Sequence, residues 1–331
     1  MIKEQELEQT DVLERHSKGM MMAVRIHEYG SSEVLRYEEA RIPAIHPDEV
    51  LIKVHAAGVN PVDWKIREGY MKDNNRKLPF IPGWDVAGTV EETGSLVSMF
   101  KKGDAVFARP DSSRNGTYAE FVAVPAFELA IAPSRIPMWQ AAGVPLAAQA
   151  AWTGLFEHGR LERELSILIH GASGGVGSFA VQLAKIAGAY VIATTSSQNV
   201  DVVRSFGADV VIDYTAEDFT ERIDKVDMVF DTIGGETQTR SYEVLNRGGR
   251  LISTVDIADE NAAERHLVTA KTFLMISNGA RLAEIAELIN KDMLHVLIEK
   301  EFPLHDAKKA QDLSQSGKAA GKIIIRVEES A

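Results

Sequence analysis

The 331-residue chain contains no cysteine, which excludes disulfides, thiolate nucleophiles and zinc or iron–sulfur centres held by sulfur. No apolar run approaches the ~18 residues that a membrane-crossing helix needs. The first 20 residues carry too much charge for the apolar centre of a secretion signal. Positive charge is also in short supply, with 36 Lys and Arg against 48 Asp and Glu and a formal charge of −12. That balance repels nucleic acid and anionic membrane surfaces. Neither is expected as a partner, and a cytoplasmic location is expected.

What is present is the composition of a packed globular chain, 45% hydrophobic and without low-complexity blocks. Because single cores stop growing near ~250 residues, two domains are expected. Residues 1–21 read as an extension ahead of the body, without an assigned role. From Ala23 to about Ile131 short runs such as MAVRIHE, EVLIKVHAAGVN, DVAGTVEE, DAVFARP and YAEFVAV are separated by Gly, Pro and Asp turns, the pattern of an antiparallel, barrel-like β domain. One helix interrupts it, since Pro61 opens and Gly69 closes PVDWKIRE. From Pro137 the rhythm changes to alternating helices and continuous apolar strands, LSILIH, YVIATT, DVVID, VDMVFDT and GRLIST, which predicts a parallel sheet. TFLMIS, residues 272–277, is expected to add an edge strand.

Directly after LSILIH comes Gly171-Ala172-Ser173-Gly174-Gly175-Val176-Gly177, followed by the helical run SFAVQLAKIAG. Strand, glycine turn, helix is the context of a dinucleotide-binding loop, in which backbone approaches a pyrophosphate at a helix N-terminus. The same residues spell G-x-S-x-G around Ser173, the turn that displays a hydrolase nucleophile. Asp231 or Asp256, followed by His266, His295 or His305, would supply a triad in workable order. The third glycine, Gly177, and the lack of an HGGG-type oxyanion loop upstream weigh toward the dinucleotide, with Ser173 as a small loop residue facing phosphate.

NAD binders place an acid at the end of the next strand against the ribose hydroxyls. Here that strand ends Thr194-Thr195-Ser196-Ser197-Gln198-Asn199. Small hydroxyls leave room for a 2'-phosphate and supply donors to it, so the expected cofactor is NADPH. Ser196, Ser197 and Asn199 also suit capping of the following helix.

Together with AAGVNPVDWKIREG at 56–69, PFIPGWDVAGTVEETG at 79–94, GTYAEFVAVP at 116–125, VIDY at 211–214 and GKIIIRV at 321–327, these residues carry a resemblance. From about Met22 to Val327 the chain resembles the zinc-free quinone oxidoreductase branch of the medium-chain dehydrogenase/reductase superfamily, and several segments look like its alkenal and enone reductases. The resemblance implies an α/β fold in which a GroES-like β-barrel catalytic domain, 22–136 and 278–331, surrounds a Rossmann doubly wound parallel-sheet domain, 137–277. It implies a cleft between the domains and a homodimer joined through Rossmann edge strands. Zinc-dependent relatives carry cysteines and a His-Glu pair, and this chain has Trp84-Asp85 at the latter, so no metal site is expected.

Position by position, the resemblance implies Asn60 near the nicotinamide, Ala172, Ser173, Gly174, Gly175 and Val176 at the pyrophosphate, and Thr195, Ser196, Ser197, Asn199 and Tyr214 around the adenosine 2'-phosphate. Ile233, Ser253 and Thr254 line the nicotinamide side, with Ala150 and Lys322 completing the cofactor contacts. Two departures stand out, Asn199 where many relatives have Lys and Ala150 where many have Thr, and Arg204 is the candidate substitute for the missing charge. Hydride transfer to a conjugated carbonyl asks the protein for one donor at the developing oxyanion. Lys65 is the candidate, as enone-reductase relatives carry a similar Lys, and Asp63 either orients it or caps the short helix. Trp64, Trp84 and Trp152 either wall an aromatic acceptor or pack internally. The expected activity is NADPH-dependent reduction of a quinone or α,β-unsaturated carbonyl compound without zinc. The alternatives are an NADPH-binding protein with a structural or regulatory role and a serine hydrolase built on Ser173.

Overall fold

The computed structural model describes residues 12, 14–71 and 76–327. Residues 1–11 and 13 of the expected extension, and 72–75 after the short helix, lie outside the described residues. The chain divides into two compact units, one formed by Met1–Leu146, Ser277–Glu287 and Ile298–Ala331, the other by Ala147–Ile276 and Leu288–Leu297. Relative to the expected boundaries, 137–146 group with the first unit and 288–297 with the second.

In the first unit the alternating runs form a seven-stranded sheet. Its order is Ile298–Pro303, Lys322–Arg326, Glu49–Val59, Val86–Thr93, Ala105–Ala108 and Leu129–Ile131, with Phe121–Pro125 also on Glu49–Val59. Pairing is antiparallel except between the two C-terminal strands. The tail strand lies along the strand that ends at Val59, with Ile323 opposite Val59, so GKIIIRV is brought beside Asn60. A separate ribbon pairs Met20–Ile26 with Leu35–Arg41. Part of the extension is anchored to this unit, because Arg15 and His16 both reach the Glu120 carboxylate, at 2.8 and 3.1 Å.

The helix Pro61–Glu68 has Pro in its first turn and ends at Gly69 in the left-handed region, as its sequence dictates. It hangs on the sheet by Ile66, which packs with Ile26, Phe80 and Trp84. Arg67, fully buried, donates to Gln311 Oε1 at 2.7 Å, Gln315 Oε1 at 2.9 Å and Gly30 O at 3.1 Å. Those bonds tie the helix Ala307–Gln315 to the Asn60 segment.

The second unit holds a six-stranded parallel sheet in the order Val210–Asp213, Tyr190–Thr195, Ser166–Ile169, Val226–Asp231, Leu245–Ser253, Thr269–Thr272. Numbered within the sheet this is 3-2-1-4-5-6, the doubly wound Rossmann order. The strand order reverses between Ser166–Ile169 and Val226–Asp231, which pair directly. The edge strand is displaced from its expected place. It occupies Thr269–Thr272, and its neighbour's register ends at the pair Ser253–Thr272. Beyond Thr272 no strand partner continues, so 273–277 is irregular, with Leu274 82% and Ile276 78% exposed. Among the described residues no helix is long and apolar enough to cross a membrane.

Candidate active site

The glycine loop leaves the first Rossmann strand where the strand order reverses, the place at which open α/β sheets bind ligands. Gly171 adopts φ +69°, and a Cβ on Gly177 would fall 2.1 Å from the Gly171 carbonyl oxygen. Loop and helix can touch this closely only through glycine. The helix Gly175–Ile186 then begins from an extended Gly174, leaving its first-turn amides without intrahelical acceptors. A pyrophosphate fits this cradle by charge and by space. Ala172 is fully buried and its N–H donates to Thr194 O at 3.1 Å, so its amide belongs to the sheet. The amide donors that suit a phosphate come from Gly175 and Val176.

Ser173 Oγ accepts from Thr195 Oγ1 at 3.0 Å and from Asn199 Nδ2 at 3.3 Å. It has no histidine partner among the described residues. Of the histidines considered for a triad, His266 stacks on Tyr242, His295 is exposed beside Asp292 and His305 meets the Tyr37 ring edge-on. Ser173 is a fastener of the loop. Asn199 Nδ2 also donates to Ser196 Oγ at 3.1 Å, and Tyr214 N donates to Thr195 O at 3.1 Å with its ring 60% exposed. Thr195, Ser196, Asn199 and Tyr214 thus meet at one sheet end. Arg204 lies on the following helix in an exposed pair with Asp201, at 3.0 Å.

Asp231 shapes the facing loop. Its carboxylate accepts from the amides of Ile233 and Gly234 at 2.9 and 3.0 Å, and from Gln238 Nε2 and Ser253 Oγ, both at 2.9 Å. Ser253 is fully buried by that bond, so its hydroxyl supports the loop from behind. Ile233 is left 55% exposed at the tip, and Thr254 follows half-buried. Ala150 is buried in the helix Pro145–Trp152. His170, one residue before the loop, bonds Thr194 and Ser241 at 2.9 Å each. Ser241 Oγ already donates to Thr237 O, which makes His170 Nε2 the donor and Nδ1 the acceptor. Burial lowers the imidazole to about 4, a neutral structural role. Sequence reasoning missed both roles, although an Asp closing an apolar strand was the available signal.

In the first unit Asn60, Asp63, Asp85, Tyr118 and Lys322 form a buried polar cluster, none more than 3% exposed. Asn60 Nδ2 donates to Asp85 Oδ2 at 2.9 Å, and Lys322 Nζ donates to Asn60 Oδ1, to Val59 O at 3.2 Å and to Asp85 Oδ2 at 3.3 Å. Asp85 Oδ1 takes Leu146 N–H at 2.7 Å. Asp63 Oδ2 accepts the Asn60 amide at 2.9 Å and the Tyr118 hydroxyl at 2.7 Å, while Oδ1 is buried without a partner among the described residues. Burial raises Asp63 to about 7 against the pull of those two donors. It also raises Asp85, opposed mainly by Lys322. Burial and Asp63 together hold the Tyr118 phenol well above its ordinary value. Asp63 is therefore the third helical residue of a capping box whose N-cap is Asn60, and its carboxylate is spent on the Asn60 amide and Tyr118 rather than on Lys65. Lys322 and the Asn60 side chain have their bonds inside the protein.

Lys65 is half-buried, and its ammonium lies 5.7 Å from the centre of the Trp64 ring, which Tyr70 meets edge-on. No carboxylate among the described residues pairs with it. Trp84 is fully buried core, whereas Trp64 and Trp152 keep partly open faces. No group of three or more His, Cys, Asp or Glu among the described residues is placed to hold a metal ion. At the Trp84-Asp85 position Trp84 is walled in and Asp85 is bonded to Lys322.

Comparison with known proteins gives the same frame. Residues 46–134 match the alcohol dehydrogenase GroES-like domain, and 206–325 match the family described as zinc-binding dehydrogenase. The chain is 34% identical to the mitochondrial NAD(P)H oxidoreductase RTN4IP1 of Mus musculus, over 93% of this chain and 89% of that one. It is 36% identical to the chloroplastic NADPH-dependent alkenal/one oxidoreductase of Arabidopsis thaliana, over 90% and 77%. The Escherichia coli quinone oxidoreductase solved with NADPH superposes with a TM-score of 0.84 at 27% identity, covering 92% of this chain and all of that one. The sequence motifs, the two sheets and these alignments together show that the chain belongs to the quinone oxidoreductase branch of the medium-chain dehydrogenase/reductase superfamily.

Proposed function

We propose that the protein is an NADPH-dependent, zinc-independent reductase of quinones and α,β-unsaturated carbonyl compounds. The observation that carries this reading is the Gly171–Gly177 cradle at the sheet's reversal point, where a single added methyl at Gly177 would strike the loop backbone. The names of the Mus musculus and Arabidopsis thaliana relatives support the nicotinamide cofactor and the conjugated acceptor. NADPH, when bound, supplies the hydride. Gly175 and Val176 would hold its pyrophosphate, the segment Ser196, Ser197 and Asn199 with Tyr214 would border its adenosine phosphate, and Ala150, Ile233 and Thr254 would border the nicotinamide.

The chain's own chemistry is positioning and charge stabilisation. Lys65, uncommitted to any carboxylate among the described residues, is the donor for the acceptor's carbonyl oxygen as negative charge develops there, the task that a Lewis acid performs in zinc enzymes. Trp64 holds that ammonium by cation–π attraction and offers an apolar face to the acceptor. Asp63 and Asp85 fix Asn60 and the helix that carries Lys65. Zinc independence rests on the missing cysteines and on the engaged Asp85. The exposed residues after the edge strand support a homodimer. Consumption of NADPH with a panel of quinones and enones tests the reading. Binding of NADPH without turnover across the panel would favour a binding protein instead.

A further inference from the structure

The second Rossmann strand ends without an acid, but the register of the sheet supplies one from the third. Strands Tyr190–Thr195 and Val210–Asp213 run parallel with Asp213 opposite Thr195, which places a carboxylate at the sheet end where Ser196 and Ser197 leave it. Ser197 Oγ donates to Asp213 Oδ2. The Thr215 amide and hydroxyl donate to Asp213 Oδ1 at 2.9 and 2.6 Å. Ser197 Oγ and Thr215 Oγ1 lie 2.8 Å apart. The Ser197 and Thr215 donors hold the Asp213 carboxyl below its ordinary value, so it carries a full negative charge at neutral pH. The Ser197 hydroxyl hydrogen is also committed to it.

Among the described residues the groups bonded to Asp213 are hydroxyls and an amide, none of them a cation. Arg204 lies in an exposed pair with Asp201, and Asn199 uses its amide on Ser173 and Ser196. We infer that Asp213 is a specificity-determining residue whose carboxylate weakens the hold on an adenosine 2'-phosphate at Ser196–Ser197 and keeps the nucleotide site open to NADH as well as NADPH. The inference rests on the nucleotide reading of the glycine loop and of this strand end. A free ribose 2'-hydroxyl meets no repulsion there, whereas a dianionic phosphate one hydroxyl away from a carboxylate loses several-fold in affinity even with solvent screening.

The test is titration of the purified full chain with NADPH and with NADH, followed by nicotinamide fluorescence, in wild type, Asp213→Asn, Asp213→Ser and Asp224→Asn. Removing the Asp213 charge should tighten NADPH about fivefold or more while NADH moves less than about twofold. Asp224→Asn removes an exposed acid that precedes the strand Val226–Asp231, at the opposite end of the sheet, and should leave the ratio of the two constants unchanged. A ratio that stays at the wild-type value in both Asp213 variants overturns the inference, and so does an equal shift in Asp224→Asn, which would reduce the effect to net charge. Failure of the wild type to bind either nucleotide would instead remove the nucleotide reading, and the inference with it.

Discussion

Lys65 and Asp63 sit two residues apart on one short helix and do opposite things. Lys65 faces out with no carboxylate partner among the described residues, so Lys65→Met should lower kcat with an enone by about 10- to 100-fold while the NADPH dissociation constant stays within about twofold. Unchanged turnover would make it a surface lysine. Asp63 faces in. Its carboxyl is raised from 3.8 to about 7, so the folded chain keeps a proton that the unfolded chain releases. The stabilising protonated form is fully present below pH 3.8 and is lost as pH rises through about 7. Asp63→Asn removes that pH-dependent cost, of order 4 kcal/mol at most. The melting temperature of Asp63→Asn relative to wild type should therefore climb between about pH 4.5 and about pH 7.5, and a pH-independent offset would count against the buried ionisation. The short helix running from Asn60 past Lys65 was legible because its motif is contiguous. The Tyr118 partner of Asp63 was not, because 55 residues separate them.

Strands, turns and helices were legible wherever the information is local. The run LSILIH, the glycine turn and the following helix declare themselves in sequence, and the close contact at Gly177 explains why. Gly177→Ala would push a methyl against the loop backbone, which cannot move aside as a side chain can. It should weaken nucleotide binding at least about tenfold, with a lowered melting temperature, since backbone shifts of this kind cost about 1–3 kcal/mol. Wild-type affinity in that variant would mean the cradle is elsewhere. Pairing between strands was not legible. TFLMIS has a strand's composition, yet its neighbour's register runs out at Thr272. The acid missing from the second strand is restored by Asp213 from the third, which no single-strand reading contains.

At the scale of the whole chain, the change from alternating to continuous apolar runs marked two units, and the tail's return to the first unit followed from the family resemblance rather than from periodicity. Its physical basis is the pairing of Ile323–Arg326 with Ala56–Val59 and the Lys322 bonds to Asn60 and Asp85. The absent cysteines and the engaged Asp85 lead to full activity in the presence of a strong chelator, checked with metal analysis of the purified protein. Loss of activity that added zinc restores would reverse this. Hydride passage from the reduced nicotinamide to a conjugated carbonyl compound is read out with NADPH carrying deuterium at both C4 positions and an enone acceptor. Deuterium is expected at the β-carbon of the saturated product and a solvent proton at the α-carbon, one product formed per NADPH consumed. NADPH consumption without deuterium in the product, or no consumption with any quinone or enone, would contradict it.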